Sequence, residues 1–298
     1  MKRPLTTGHR PLQGRNWLWS WGVLFIYSVL VLILTYPLLF NLTAAVPIDI
    51  GDPLLNTWIL AWDAHALFTD PLNLFNANIF YPLPNTLAFS EHLFSTALLA
   101  LPLQMVFGEP VLAYNLSLLL TFPLAAFGMY LLALRWTHHC WAAFIAGLIF
   151  AFSPYRLASI AHLQLLTFQW LPYLVLCLDL LLERGSVNHT QGRASKPALL
   201  IALAIFFLLQ VLASWYLAIY TILILGIYIL IALVTRRVHL SQLIPVIAIL
   251  LFVTLLILPF IFPYLTLVDQ LRASRPLSLA LSLSAAPTDY LAAISFNR

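Results

Sequence analysis

Five of the ten acidic residues in this chain, Asp49, Asp52, Asp63, Asp70 and Glu91, fall between Ile48 and Glu91, with no Lys or Arg among them. A carboxylate kept apart from cations is suited to accepting a proton, so this stretch is read as the carrier of a catalytic carboxylate. Asp52 follows Gly51 and precedes Pro53. Its side chain therefore either caps the helix that starts there or serves as a base. Glu91 and His92 stand where a polar loop becomes an apolar run, and they either close a pocket opposite Asp52 or cap that run. A second polar segment, SPYRLASIAHLQ (153–164), contributes Tyr155, Arg156, His162 and Gln164. The forked donors of Arg156 match a phosphate, although a lipid headgroup or an Asp of the first stretch satisfies them too. His162 and Gln164 are polar residues entering an apolar helix, a placement that marks sites inside membranes, although an interfacial His is often only solvated. Arg272 and Arg275, near the C-terminus, either clamp a phosphate or form a solvated face.

Other polar residues read as architecture. Trp58, Ile59 and Trp62 form a stripe expected to face the membrane, which turns Asp63 toward water. Asp70 precedes Pro71 and reads as a turn residue. Asp179 is expected to pair with Arg184, and it is the one feature that suits a proton-coupled transporter. Cys140 and Cys177 sit in apolar runs and read as buried thiols. The chain has no GxGxxG, no P-loop lysine motif, no HExxH and no CxxC pair, which removes the enzyme classes those motifs serve. Its net charge of +4 is scattered over loops without a basic stripe, so nucleic acid is not an expected partner.

The elements that must hold these residues are membrane helices. The 298 residues are 62% hydrophobic and only 8% charged, against about 25% charged in a soluble domain. An all-α integral membrane protein follows. Apolar runs of spanning length or near it lie at 17–40, 111–134, 140–154, 164–182, 197–213, 215–234 and 241–264, giving about seven transmembrane helices. The run 92–107 contains Pro102 and is followed by Gly108. Positive charge decides its placement. If 92–107 stays on the surface, Lys2, Arg3, Arg10, Arg15, Arg135, Arg184, Arg193, Lys196, Arg236 and Arg237 all lie in the cytoplasm. Those are ten of the fourteen basic residues. The chain then divides into a cytoplasmic tail (1–16), a transmembrane module (17–264) with a structured outer loop (41–110) carrying surface helices, and an outer-face segment (265–298). Trp58, Trp62, Phe68, Phe75, Phe80 and Tyr81, interleaved in the outer loop, suit a membrane surface. The expected location is the cytoplasmic (inner) membrane, multi-pass, with the acidic loop, 153–164 and 265–298 gathered outside.

Several short motifs recur together in one superfamily. They are Gly51–Asp52 in an early outer loop, LPLQMVFG before a helix closing on LALRW, and the turn AFSPYR. Pro154-Tyr155-Arg156 and His162-Leu163-Gln164-Leu165 follow. With these, the chain from about residue 17 to 290 resembles the GT-C superfamily of polytopic glycosyltransferases. It is most similar to that superfamily's large bacterial membrane proteins. The resemblance implies a GT-C-like helical bundle and transfer of a hexosyl or pentosyl group from a polyprenyl-phosphate sugar. The acceptor would be a lipid, glycan or protein on the outer face, with membrane lipids around both. It also implies that Asp52 acts as base or as ligand of a divalent cation (Mg or Mn). The second acidic residue that relatives often carry after the SP turn is replaced here by Arg156 and His162. Relatives are commonly longer, so the chain is expected to be truncated within 265–298. The alternative functions are a multi-pass transporter or flippase, and a non-catalytic fragment of a larger membrane protein.

Overall fold

The computed structural model describes residues 16–182, 195–235, 238–271, 276–282, 284 and 286. Arg184, Arg193, Arg236, Arg237, Arg272, Arg275, Asp289 and Tyr290 lie outside the described residues, so neither the tail arginines nor an Asp179–Arg184 pair can be placed.

Every regular element among the described residues is helical. Helix α1 (Asn16–Leu34) gives way to a turn at Pro37, a residue that cannot continue a helix. The acidic loop is folded rather than loose. It holds α2 (Asp52–Thr69), with Pro53 in its first turn, two short 3-10 turns, and α3 (Phe94–Phe107). Trp62 Nε1 donates to Leu74 O at 2.7 Å, and Thr86 Oγ1 donates to Ala77 O at 2.9 Å. The first bond ties the crossing to α2, and the second closes the crossing on itself. Gly108, at φ +68°, ends α3 in the left-handed conformation that glycine adopts without penalty.

The remaining helices are α4 (Pro110–Thr137), α5 (Cys140–Ala151), α6 (Pro154–Ala158), α7 (Leu163–Leu166), α8 (Leu171–Leu182), α9 (Lys196–Val211), α10 (Trp215–Val234), α11 (Leu240–Leu271) and α12 (Leu277–Ser282). Helix α4 is the hub, packing against α1, α2, α3, α5 and α8. Its seam with α5 is built from small residues, Ala125, Ala126, Ala143, Gly147 and Ala151. At Gly147 an added Cβ would stand 2.6 Å from Ala126 O and 2.3 Å from the Tyr27 hydroxyl. Only glycine lets the backbones approach this closely, which is how helices pack where lipid removes the hydrophobic drive.

Five stretches, Pro110–Thr137, Cys140–Ala158, Leu163–Leu182, Trp215–Val234 and Leu240–Leu267, are long and apolar enough to cross a membrane, while those of α1 and α9 are shorter. Large apolar side chains such as Ile219, Ile222, Leu251 and Leu255 stand exposed along α10 and α11, the pattern of helices with a lipid-facing side. Side-chain contacts sort the helix ends into two groups. Asp52, Glu91, Gln164, Trp215 and Tyr264 meet at one end, hereafter the acidic end. Arg135, Asp179 and Tyr228 meet toward the other.

The orientation expected for α2 is wrong. Ile59 and Asp63 are both fully buried, while Leu54, Leu55 and Phe68 are exposed. Polar and apolar residues share the inward face, at 53, 56, 57, 60, 63 and 64. A sequence stripe judged by apolarity alone therefore points the helix the wrong way. Cys177 is buried as expected, but Cys140 is exposed at the start of α5.

Candidate functional site

Asp52 is the first residue of α2, and among the described residues its side chain accepts from Gln164 and from no backbone N–H. The turn before it is held instead by Asp49, whose Oδ1 accepts from Gly51 N at 2.8 Å. The Asp52 carboxylate is thus left for other partners. Gln164 Nε2 donates to its Oδ2 at 3.3 Å, and His162 Nε2 lies 3.5 Å from the same oxygen. Gln164 is itself held by Asn56, whose Nδ2 donates to Gln164 Oε1 at 3.0 Å. Asn56 sits one turn after Asp52 on the same face of α2, so both ends of the Gln164 amide are bound by one helix. The carboxylate keeps 43% of its exposure and the imidazole 46%. Both remain open to a reactant.

Gln164 also lines a cavity of about 600 Å³, together with Ser90, Glu91, Trp215, Tyr216 and Tyr264. Glu91 Oε2 accepts from Trp215 N at 2.7 Å, so this carboxylate caps α10 rather than the helix that follows it in sequence. Burial pushes the Glu91 carboxyl up, while the bonds from Trp215 and Ser214 pull it back. Tyr264 Oη donates to Ser90 O at 2.9 Å, which fixes α11 over the chamber.

His92 is placed differently from Glu91. Its Nδ1 accepts from Phe94 N at 3.1 Å, the first N–H of α3. Its ring is fully buried, with the Trp215 centroid at 5.2 Å and the Phe260 centroid at 5.5 Å. Burial lowers its pKa to about 3. Asp63 is also fully buried, with neither carboxyl oxygen bonded, and desolvation raises its pKa well above the usual carboxylate range.

Arg156 lies deeper than its position in the sequence implies. Only 3% of it is exposed. Its Nη2 donates to Thr121 Oγ1 at 3.3 Å, and its guanidinium carbon stands 4.8 Å from the centroid of Phe122. Arg156 Nε and Nη1 have no partner, and a buried guanidinium without an anion is costly. Tyr155 beside it points outward, 54% exposed.

The structure thus joins Asp52, His162 and Gln164, links Glu91 to them through the cavity, and sets Arg156 and His92 apart. Among the described residues no group of three His, Cys, Asp or Glu side chains comes together to hold a metal ion. The donors around Asp52 are one imidazole and one amide, which does not fit a dedicated divalent site. Asn56 is the functional neighbour that sequence reasoning missed, though its spacing from Asp52 announced it. Trp215 and Tyr264 carried no such signal, because aromatics in apolar runs look alike whether they face lipid or a chamber. Asp179 pairs with Arg135 and accepts from Tyr228, so the residue singled out for proton coupling is held in an interhelical bond. No family model matches the chain, and neither a curated protein nor a solved structure matches it.

Proposed function

We propose that this chain is a membrane glycosyltransferase that moves a sugar from a polyprenyl-phosphate donor to an acceptor hydroxyl on the outer face of the cytoplasmic membrane. The observation that carries the reading is the Asp52 carboxylate, half-exposed, held by Gln164 and His162, and one side chain away from a cavity of about 600 Å³. A base oriented in this way beside a chamber is what removal of a proton from an acceptor hydroxyl requires. As the acceptor oxygen attacks the anomeric carbon, Asp52 takes its proton. The bond from that carbon to the phosphate oxygen breaks, and the polyprenyl phosphate leaves with inverted configuration at carbon.

Arg156 is buried and does not line the cavity, so the donor-phosphate role expected for it from the sequence is not part of this reading. The choice of a glycosyl group rests on the motif resemblance. Release of labelled sugar from polyprenyl-phosphate donors by the purified chain in lipid tests the reading. Consumption of donor is expected, and an inert preparation across hexosyl and pentosyl donors contradicts it.

A further inference from the structure

The chamber at the acidic end has an electrostatic bias that sugar transfer alone does not require. Its lining contains one formal charge, the carboxylate of Glu91, and among the described residues no Lys or Arg lines it. On the opposite side of Gln164 stands Asp52. A ligand that fills this space strips water from Glu91, one of whose oxygens is already committed to Trp215 N. A neutral ligand leaves that desolvation uncompensated, and an anion adds repulsion.

The aromatic lining has the complementary property. Trp215, Tyr216 and Tyr264 surround the same space, with Trp215 and Tyr264 edge to face at 5.6 Å between centroids. Ring faces attract an organic cation, and more strongly where water is excluded. A carboxylate and three aromatic side chains around one cavity are the groups from which an ammonium site is built.

We infer that the chamber lined by Glu91, Trp215, Tyr216 and Tyr264 binds a protonated amine carried by one of the reactants. The amine belongs either to an amino sugar or to an amine-bearing lipid headgroup, both of which present an ammonium on a polar carrier. That the occupant is a reactant rests on the transfer reading, through Gln164. That it is an ammonium does not.

The test is calorimetric titration of the purified full chain in neutral maltoside micelles. One arm compares methyl glucosaminide with methyl glucoside. The other compares a short-chain ethanolamine phospholipid with its glycerol-headgroup counterpart. In at least one arm the amine binds roughly tenfold tighter or more, and the arm with the larger preference names the source. Glu91→Gln keeps an oxygen to accept the Trp215 N–H and abolishes the preference. Tyr216→Leu, at a half-exposed position, weakens it severalfold and guards against a misfolded Glu91 variant. Equal binding of amine and neutral probes in both arms overturns the inference, as does an undiminished preference in Glu91→Gln. Amine binding that depends on Glu91 in a chain that transfers no sugar contradicts the transfer reading alone.

Discussion

Gln164 donates to Asp52 at 3.3 Å across 112 residues of chain. That bond joins the start of α2, in the folded acidic loop, to α7 at the far end of the α4–α5 hairpin. One amide thereby positions the proposed base and lines the chamber beside it.

Removing that amide has two separable effects. In Gln164→Leu, the buried Asn56 loses its side-chain partner, at a cost of about 1–3 kcal/mol. Among the described residues, Asp52 keeps no donor but His162. The unfolding midpoint falls and donor turnover falls further than stability accounts for, whereas Gln164→Glu keeps an acceptor for Asn56 Nδ2 but sets a second carboxylate against Asp52, so turnover is not restored. Thermal unfolding and turnover, measured on the same preparations, check this.

Arg156→Lys keeps the charge but not the fork. The Nη2 bond to Thr121 and the contact with the Phe122 ring are weakened, so stability falls by about 1 kcal/mol. Affinity for a phosphate-bearing donor is unchanged, because the side chain is buried and does not line the cavity. Thermal unfolding beside donor titration checks both.

At the opposite end, Arg135→Ala leaves Asp179 without its cation. Both side chains retain about a fifth of their exposure, 21% and 19%, so the expected loss is about 1–3 kcal/mol, below that of a fully buried pair. Asp179→Asn destabilises less and leaves sugar transfer intact. A transport defect in Asp179→Asn with normal transfer would instead mark a second activity.

Two buried groups of the acidic loop give stability a pH dependence of opposite sign. Asp63 has a raised pKa when folded, so the folded state binds more protons than the unfolded one above about pH 3.9. Its contribution declines as pH rises toward the folded pKa. His92, lowered from 6.5 to about 3, binds a proton only when unfolded across that interval, so its contribution grows as pH rises through it. Asp63→Asn removes the first effect, and stability between pH 4 and 7 (on the order of the unperturbed Asp and His values) then rises more steeply with pH. A slope unchanged by Asp63→Asn would contradict the buried, unpartnered placement of that carboxyl.

Much of the fold was legible in the sequence because apolar runs and proline or glycine stops are local. The runs beginning near 111, 140, 197, 215 and 241 each correspond to a helix, and Gly108 ends α3 where the run ends. The joining of Asp52 to the 153–164 segment was legible only as a shared side of the membrane. Its partners, Gln164 and His162, follow from helix packing that no local pattern encodes. The facing of α2 was misread because Asp63 and Asn56 share the buried face with Ile59 and Leu60, and polarity then gives the wrong direction. The depth of Arg156 was hidden for a related reason. Its neighbours Pro154 and Tyr155 are exposed, and a five-residue helix turns one side chain inward against Thr121.

The central claim is that Asp52 is the base of a sugar transfer. Wild type and Asp52→Asn are compared in lipid with radiolabelled polyprenyl-phosphate sugars, following donor binding and sugar release together. The account predicts release by wild type, donor binding by both, and a fall of about 10²–10⁴-fold in turnover for the variant. Its fold is unchanged, since the amide oxygen still accepts from Gln164 Nε2. Release by Asp52→Asn at the wild-type rate would contradict the account and leave the carboxylate as part of the architecture.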